Sequence, residues 1–303
     1  MTKEIIFFNG KFVSAKEAKV SVKCHALNYG TGVFEGIRAW WNGENLVILA
    51  LEEHLKRLQN SCKILKISLP YSLFRLKEII IELLKRNHFK SDVYIRPIAF
   101  KGGEKIGVKL SGIEDFFAIF ASPFTSYYPN ETKVRAIVSS WVRIPDCAIP
   151  PRAKCCGAYV NSALAKDEAL CAGVDEAIVL NSDGTVAEAS AANIFIVRNG
   201  TLITPPVTAN ILEGITRELV IKIAKEDLGL EVIERPIGRT ELYIADEVFV
   251  TGTACNISAI IEIDKRQIGN GTMGQITARV REKYSEICFG KNPKYNDLYT
   301  FVY

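Results

Sequence analysis

Lys154 sits in Pro150-Pro-Arg-Ala-Lys-Cys-Cys-Gly-Ala-Tyr-Val-Asn-Ser-Ala-Leu164, a run of small, apolar and soft residues. The nearest upstream carboxylate is Asp146, and the twelve residues after the lysine carry none. An ammonium in such surroundings is a candidate for a lowered pKa, and a neutral amine attacks carbonyls to form imines. The alternative is a buried stem whose head snorkels to water. Glu188 lies in the β-prone, small-residue run Thr185-Val-Ala-Glu-Ala-Ser-Ala-Ala-Asn-Ile-Phe-Ile-Val197. A carboxylate there either faces water on a half-buried strand or needs a cationic partner in the interior.

An imine-forming lysine can work alone, as in a Schiff-base lyase, or with pyridoxal phosphate. The second use needs an anion cradle and an acid for the pyridine nitrogen. Gly214-Ile-Thr-Arg217 opens a predicted helix, where free N–H groups, the positive helix end and the Thr216 hydroxyl suit a phosphate, although many ordinary helices start this way. Gly252-Thr-Ala254 offers a second small turn with a hydroxyl. Arg57 lies off the apolar stripe of its helix, either as a solvated charge or as a phosphate ligand. Glu188 is the candidate ring acid.

The elements that must position these groups follow from periodicity. Apolar residues at 51, 55, 58, 62 and 65 predict a helix, and Leu73–Leu84 predicts another. Asp92–Phe100 alternates as a strand with Tyr94 and Arg96 on one face. Asn9-Gly10 and Asn199-Gly200 mark hairpins. Glycines 30, 32 and 36 among aromatics predict a backbone that turns tightly or admits a close neighbour, without a dinucleotide or Walker fingerprint. Strands are expected at 116–121, 134–141, 177–180, 185–197, 248–250 and 257–263, and helices at 158–170, from the Gly214–Arg217 opening to Leu228, and at 274–288. Ser122–Thr132 is polar and contains prolines, which divides the chain into an N-terminal α/β domain (1–121), a linker (122–133) and a larger C-terminal α/β domain (134–303) carrying Lys154. Helices and hairpins intermix, so the class is α/β with α+β character, its sheets mixed or antiparallel rather than doubly wound.

The totals remove other classes. Among 303 residues, 38 basic and 34 acidic side chains are finely interspersed, giving a net charge of +4 and nothing that points to nucleic acid or an anionic membrane. Every apolar run is interrupted before membrane-spanning length, and the first ten residues have too short an apolar run for a secretory signal, so a cytoplasmic location is expected. The eight cysteines show no zinc-ligand spacing, and no metal is expected; Cys155 and Cys156 are expected to be small packing residues rather than metal ligands or a vicinal disulfide. With three histidines in the chain, histidine-based catalysis has little to draw on.

Six motifs in one order carry a resemblance: His25-Ala-Leu-Asn-Tyr-Gly-Thr-Gly-Val-Phe-Glu-Gly-Ile-Arg38, Glu53-His-Leu-Lys-Arg-Leu58, Tyr94-Ile-Arg-Pro97, Ala153-Lys154, Gly214-Ile-Thr-Arg217 and Ala245-Asp-Glu-Val-Phe-Val-Thr-Gly-Thr-Ala254. The chain resembles the branched-chain-amino-acid aminotransferases of fold type IV, a pyridoxal-phosphate class that also holds D-amino-acid aminotransferase and aminodeoxychorismate lyase. The resemblance runs from Phe8 to about Ile263.

It implies a two-domain fold type IV enzyme with pyridoxal phosphate between the domains. Lys154 is then the Schiff-base lysine and proton shuttle, Glu188 the partner of the pyridine nitrogen and Tyr159 that of the phenolate oxygen. Arg57, Gly214, Ile215, Thr216 and Thr253 hold the phosphate, and Leu212 packs on the ring. Tyr94, Thr253 and Ala254 take the substrate α-carboxylate, and Phe34, Gly36, Trp141 and Tyr159 line the apolar side-chain pocket. A second subunit of a homodimer adds its Tyr29 and Val108, and Arg96 meets the side-chain carboxylate of glutamate.

The implied reaction passes the amino group of a branched-chain L-amino acid (Leu, Ile or Val) to 2-oxoglutarate, leaving a 2-oxo acid and L-glutamate. The chain departs from the family at Gly157-Ala-Tyr159, usually Gly-Asn-Tyr, at Ala191-Ala-Asn193, where Gly and then Glu or Ser usually precede Asn, and at Lys105-Ile-Gly-Val108, usually Met or Leu before Gly-Val. Within the fold, the alternatives are transfer from D-amino acids or (R)-amines, or lyase chemistry; Tyr94-Ile-Arg-Pro97 argues against them, because D-specific relatives carry a different strand there. Outside it stand a cofactor-free lyase and a non-catalytic binding protein.

Overall fold

The computed structural model describes residues 4–303. The chain forms two compact units, one of the chain up to Thr125 with 153–157 and 286–303, the other of 126–152 and 158–285. Lys154 belongs to the first unit, and so reaches it as an insertion from a later part of the chain.

The first unit begins with a hairpin of β1 (Ile5–Phe8) and β2 (Lys11–Ser14), turned by Asn9 and Gly10 at φ 43° and 89°, the left-handed pair such a turn requires. The glycine-rich stretch that follows is more regular than its composition predicts. It contains a short helix α1 (His25–Tyr29) and strands β3 (Gly32–Phe34) and β4 (Ile37–Trp41), with β5 (Leu46–Leu49) next.

Helix α2 (Leu51–Ile64) buries Leu51, Leu55, Leu58 and Cys62, the expected stripe, and packs on β3. Helix α3 (Leu73–Arg86), capped by the Ser72 hydroxyl accepting from the Arg75 N–H, lies against α2, β1 and the later strand β7. Strands β6 (Val93–Lys101) and β7 (Asp115–Pro123) pair along their full length. Tyr94 and Arg96 share the half-buried face of β6, while Val93 and Ile95 are buried on the other.

In the second unit, strand β8 (Val134–Val142) is followed beyond the Lys154 segment by helix α4 (Tyr159–Cys171), then β9 (Glu176–Leu180), β10 (Val186–Ala189), β11 (Asn193–Arg198) and β12 (Thr201–Thr204). The helix expected to run to Leu228 starts at Ile215 as α5 (Ile215–Lys222) and is π-wound over Ile223–Asp227. Strand β13 (Val232–Glu234), helix α6 (Arg239–Tyr243), β14 (Glu247–Gly252), β15 (Asn256–Ile263) and β16 (Arg266–Gln267) lead to α7 (Gln275–Cys288). The last strand, β17 (Tyr299–Phe301), returns to the first unit beside β5.

The first sheet runs β17-β5-β4-β6-β7-β1-β2 with β3 alongside β6, all antiparallel. The second runs β10-β9-β8-β15-β14-β11-β12-β13, parallel at β9/β8, β8/β15 and β12/β13 and otherwise antiparallel. Helix α4 covers β8 and β9, placing Ala165 and Ala169 against Ala177 and Val179, small side chains that let helix and sheet approach closely. The larger core of this unit is built from Val134, Ile178, Ile194, Val248 and Ile260 with their neighbours. Among the described residues no helix is long and apolar enough to cross a membrane, and no cluster of three or more His, Cys, Asp or Glu side chains could hold a metal.

Candidate active site

In the first unit, the 153–157 segment lies along the open edge of β3. The Phe34 N–H donates to Lys154 O at 3.1 Å, Val33 pairs with Cys155, and the Gly157 N–H donates to Gly30 O at 3.2 Å. Gly30 makes this possible. It adopts φ 68° at the end of α1, and a Cβ there would stand 2.8 Å from Gly157 Cα. The close neighbour that the glycine-rich stretch admits is therefore the lysine segment itself. From α2, the Ser61 hydroxyl accepts the Lys154 N–H at 3.2 Å, so the backbone of the lysine is fixed from two sides.

Lys154 Nζ then lies 5.3 Å from the centre of the Phe34 ring. The Arg96 guanidinium stacks over the same ring at 4.2 Å, and its Nη2 donates to the Tyr94 hydroxyl at 2.8 Å. Gly36 is packed against that hydroxyl; a Cβ there would come within 2.1 Å of the oxygen. Five residues singled out in the sequence (Phe34, Gly36, Tyr94, Arg96 and Lys154) thus meet on one face of the first unit.

Arg57 neither points at solvent nor stands alone. Its Nε and Nη2 donate to the two oxygens of Glu35 at 2.7 and 2.8 Å. Glu35 is fully buried, and its second partner is His54 Nδ1 at 2.8 Å. Burial pushes the Glu35 carboxyl up, but the Arg57 charge and the hydrogen bonds from Arg57 and His54 outweigh it and hold the group well below the usual carboxylate range. Sequence reasoning missed Glu35. Its signal was a lone carboxylate between Val33-Phe34 and Gly36-Ile37, the cost argument already applied to Glu188.

Tyr29 and Val108 lie elsewhere on this unit. The Tyr29 hydroxyl accepts the Gly107 N–H at 3.0 Å, and His25 Nε2 donates to Gly107 O at 2.9 Å, fastening the loop to α1. Leu27, Tyr29, Ile106 and Val108 are all exposed.

In the second unit, Glu188 is buried on β10 rather than on a solvated strand face. Its Oε1 pairs with Arg143 Nη2 at 2.8 Å, and its Oε2 accepts from Asn193 Nδ2 at 3.0 Å and from the Leu212 N–H at 3.2 Å. Asn193 also donates to Leu212 O at 3.0 Å, tying Leu212 to the acid. Gly214 caps α5, and a Cβ there would fall 1.9 Å from Asn193 Oδ1, so the helix start and the acid share one packed corner. Gly214 has no side chain to cap the helix, which leaves its first turn, Ile215 and Thr216, to present backbone N–H groups.

Thr253 and Ala254 form the turn between β14 and β15, next to Thr251, whose buried Oγ1 has no hydrogen-bond partner among the described residues. Tyr159 begins α4, and Trp141, near the end of β8, is 44% exposed.

Residues 32–263 match the model of the family described as Amino-transferase class IV. The chain belongs to this family. It is 49% identical over 302 residues to a probable branched-chain-amino-acid aminotransferase of Aquifex aeolicus, covering 99% of this chain and 97% of that one. A crystal structure of the branched-chain aminotransferase from the archaeon Thermoproteus uzoniensis with norvaline superposes with a TM-score of 0.96 at 46% identity, over 99% of this chain and all of that one. The crystal structure of the branched-chain amino acid aminotransferase from Thermobaculum terrenum in its PLP (holo) form gives 0.95 at 36% identity, over the whole of this chain and 99% of that one.

This class IV aminotransferase also contains residues that the sequence did not single out. Arg143 and Asn193 orient Glu188, Ser61 holds the backbone of Lys154, and His54 contacts Glu35, the partner of Arg57. Arg217, quoted in the helix-start motif, is buried and tied to Pro205 O and Glu234, so it holds the helix in place. The eight cysteines of the aminotransferase are free thiols, the vicinal pair included.

Proposed function

We propose that this aminotransferase transfers the amino group of branched-chain L-amino acids (leucine, isoleucine and valine) to 2-oxoglutarate, giving branched-chain 2-oxo acids and L-glutamate, with pyridoxal phosphate as cofactor. The observation that carries the reading is Arg96 lying on the Phe34 ring and bonded to the Tyr94 hydroxyl. An apolar wall with one cation at its margin can take an aliphatic side chain and a glutamate carboxylate in turn, as the two half-reactions require.

The donor set fits the cofactor. Glu188 is a buried carboxylate with fixed orientation, Lys154 Nζ lies 5.3 Å from the centre of the Phe34 ring, and the Gly214 corner has room for backbone only. Pyridoxal phosphate supplies a ring that takes up the electron pair left when the substrate Cα loses its proton. Lys154 Nζ would hold the cofactor and, as a free amine, would be the base that takes the proton from the substrate Cα. The Glu188 carboxylate holds a proton on the ring nitrogen, with Arg143 and Asn193 keeping it in position, and the Tyr159 hydroxyl donates to the phenolate oxygen. Arg57, Gly214, Ile215, Thr216 and Thr253 bind the phosphate, and Leu212 packs on the ring. Tyr94, Thr253 and Ala254 bind the α-carboxylate; Gly36, Trp141 and Tyr159 complete the side-chain pocket with Phe34.

The enzyme works as a homodimer or an assembly of dimers in the cytoplasm. The exposed apolar group Leu27, Tyr29, Ile106 and Val108 supports an interface that brings Tyr29 and Val108 to the neighbouring pocket. Eight free thiols suit a reducing compartment. The deciding experiment mixes the purified enzyme with single amino acids and follows the visible absorbance of bound cofactor. L-Leucine, L-isoleucine, L-valine and L-glutamate should bleach it; bleaching by D-alanine and not by L-leucine would overturn the assignment. Sedimentation should give a dimer or larger, and a fully active monomer would overturn the assembly.

A further inference from the structure

Behind Phe34 and Gly36 lies a closed polar cluster. Strand β3 ends at Phe34 and β4 begins at Ile37, because their partner β6 has Pro97 at this level and a proline has no N–H to give. The Glu35 N–H still donates to Pro97 O at 2.9 Å, which anchors the backbone of the interruption. On α2, positions 54, 57 and 61 are three and four residues apart and share one flank. From that flank Arg57 grips both oxygens of Glu35, His54 touches the second, and Ser61 holds the backbone of Lys154.

The interaction is specific in two ways. Two parallel N–H···O bonds fix the plane of a guanidinium, which a point charge cannot do. Burial, followed by the charges of Arg57 and Lys154, pulls His54 below its ordinary value against the opposing pull of Glu35. At neutral pH the ring is therefore uncharged, and its contact with a carboxylate requires the proton on Nδ1. His54 thus acts as a neutral brace on Glu35 and does not compete with Arg57 as a counter-ion.

We propose that Glu35, braced by His54, is a positioning residue for Arg57, holding its guanidinium plane in the orientation that receives a phosphate monoester. The inference rests on the reading of Arg57 as a phosphate ligand. Glu35 also cancels Arg57's charge, so its removal has two opposite effects: a looser guanidinium and a stronger positive field. In a buried bidentate site orientation dominates, because Arg57 must otherwise select one rotamer from many on binding.

The test compares pyridoxal phosphate with pyridoxal, which lacks the phosphate, by equilibrium titration of the full-length cofactor-free protein. Glu35→Gln should weaken pyridoxal phosphate about tenfold and leave pyridoxal within about twofold. In an Arg57→Ala background the same substitution should change neither. Equal loss for both ligands, tighter binding of the phosphate form, or an undiminished effect in that background would overturn the positioning role. Unaltered phosphate selectivity in Arg57→Ala alone would overturn the Arg57 reading instead. If Glu35→Gln does not fold, Arg57→Lys carries the test: its ammonium still neutralises Glu35 but has no plane for the carboxylate to hold. It should lose about tenfold for pyridoxal phosphate alone; retained affinity would overturn the proposal.

Discussion

The Phe34 N–H donates to the carbonyl of Lys154 at 3.1 Å, which makes the lysine segment an added strand on the edge of β3. This bond explains why an aromatic ring and an ammonium 120 residues apart end 5.3 Å from one another. The lysine is positioned by backbone pairing with the strand that carries Phe34. Lys154 and Phe34 are thereby registered on a single ladder.

Replacing the amine should stop the reaction at the proton-transfer step. Lys154→Ala is expected to lower transfer from L-leucine by at least roughly 10²–10⁴-fold, the usual worth of a placed acid–base group, while cofactor still binds non-covalently. Stopped-flow half-reactions measure this directly, and turnover near that of the parent enzyme would remove Lys154 from its role.

Gly36→Ala tests the packing of the Tyr94 hydroxyl. The new Cβ would fall 2.1 Å from that oxygen, so Tyr94 must move and its bond from Arg96 is lost. An overpacking cost of about 1–3 kcal/mol is expected in denaturant melts. Tyr94 is assigned to the α-carboxylate that both substrates carry, so the KM values for 2-oxoglutarate and L-leucine should both rise, roughly tenfold as for a lost hydrogen bond to a charged group. Unchanged KM values for both substrates would count against Tyr94 as a carboxylate ligand.

Stability should fall on acidification in two windows. The folded protein holds His54 below its ordinary 6.5, mainly by burial, so below that pH the unfolded chain takes up a proton that the folded one refuses. Glu35 is held below its ordinary 4.5 by Arg57 and His54 against the opposing effect of burial. Its contribution is complete above pH 4.5 and declines as pH drops towards the folded value. Thermal melts of His54→Gln should therefore show a shallower loss between pH 7.5 and 5.5 than the parent protein; parallel slopes would refute the account.

Thiol labelling should separate the cysteines by burial. Cys147 and Cys171 are exposed, whereas burial pushes Cys155 up to about 11 and Cys62, with Asp115 adding to it, up to about 12. Two fast-reacting thiols are expected under native conditions, with eight after unfolding. Rapid modification of Cys155 would show that the lysine segment leaves the edge of β3.

Much of this was legible in the sequence for local reasons. The alternation of Asp92–Phe100 placed Tyr94 and Arg96 on one face, and the heptad-like stripe of α2 placed Leu51, Leu55 and Leu58 inward, because strand and helix periods are properties of the chain itself. The unusual surroundings of Lys154, the small residues around Glu188 and the Gly214 helix start were all visible as composition. The resemblance then assigned them roles.

Pairings across long sequence distances were not legible. Arg57 had two open readings because nothing local shows that α2 packs on β3, just beyond which Glu35 accepts from Arg57 Nε and Nη2. Glu188 had two because its partner Arg143 is 45 residues away on the far side of the lysine segment. The glycines at 30 and 36 announced close approach without saying of what: Gly157 in one case, the Tyr94 hydroxyl in the other. A residue's type fixes which partners it can accept and its neighbours fix the local period, but ion pairs and close contacts depend on which faces meet. Only the tertiary structure decides that.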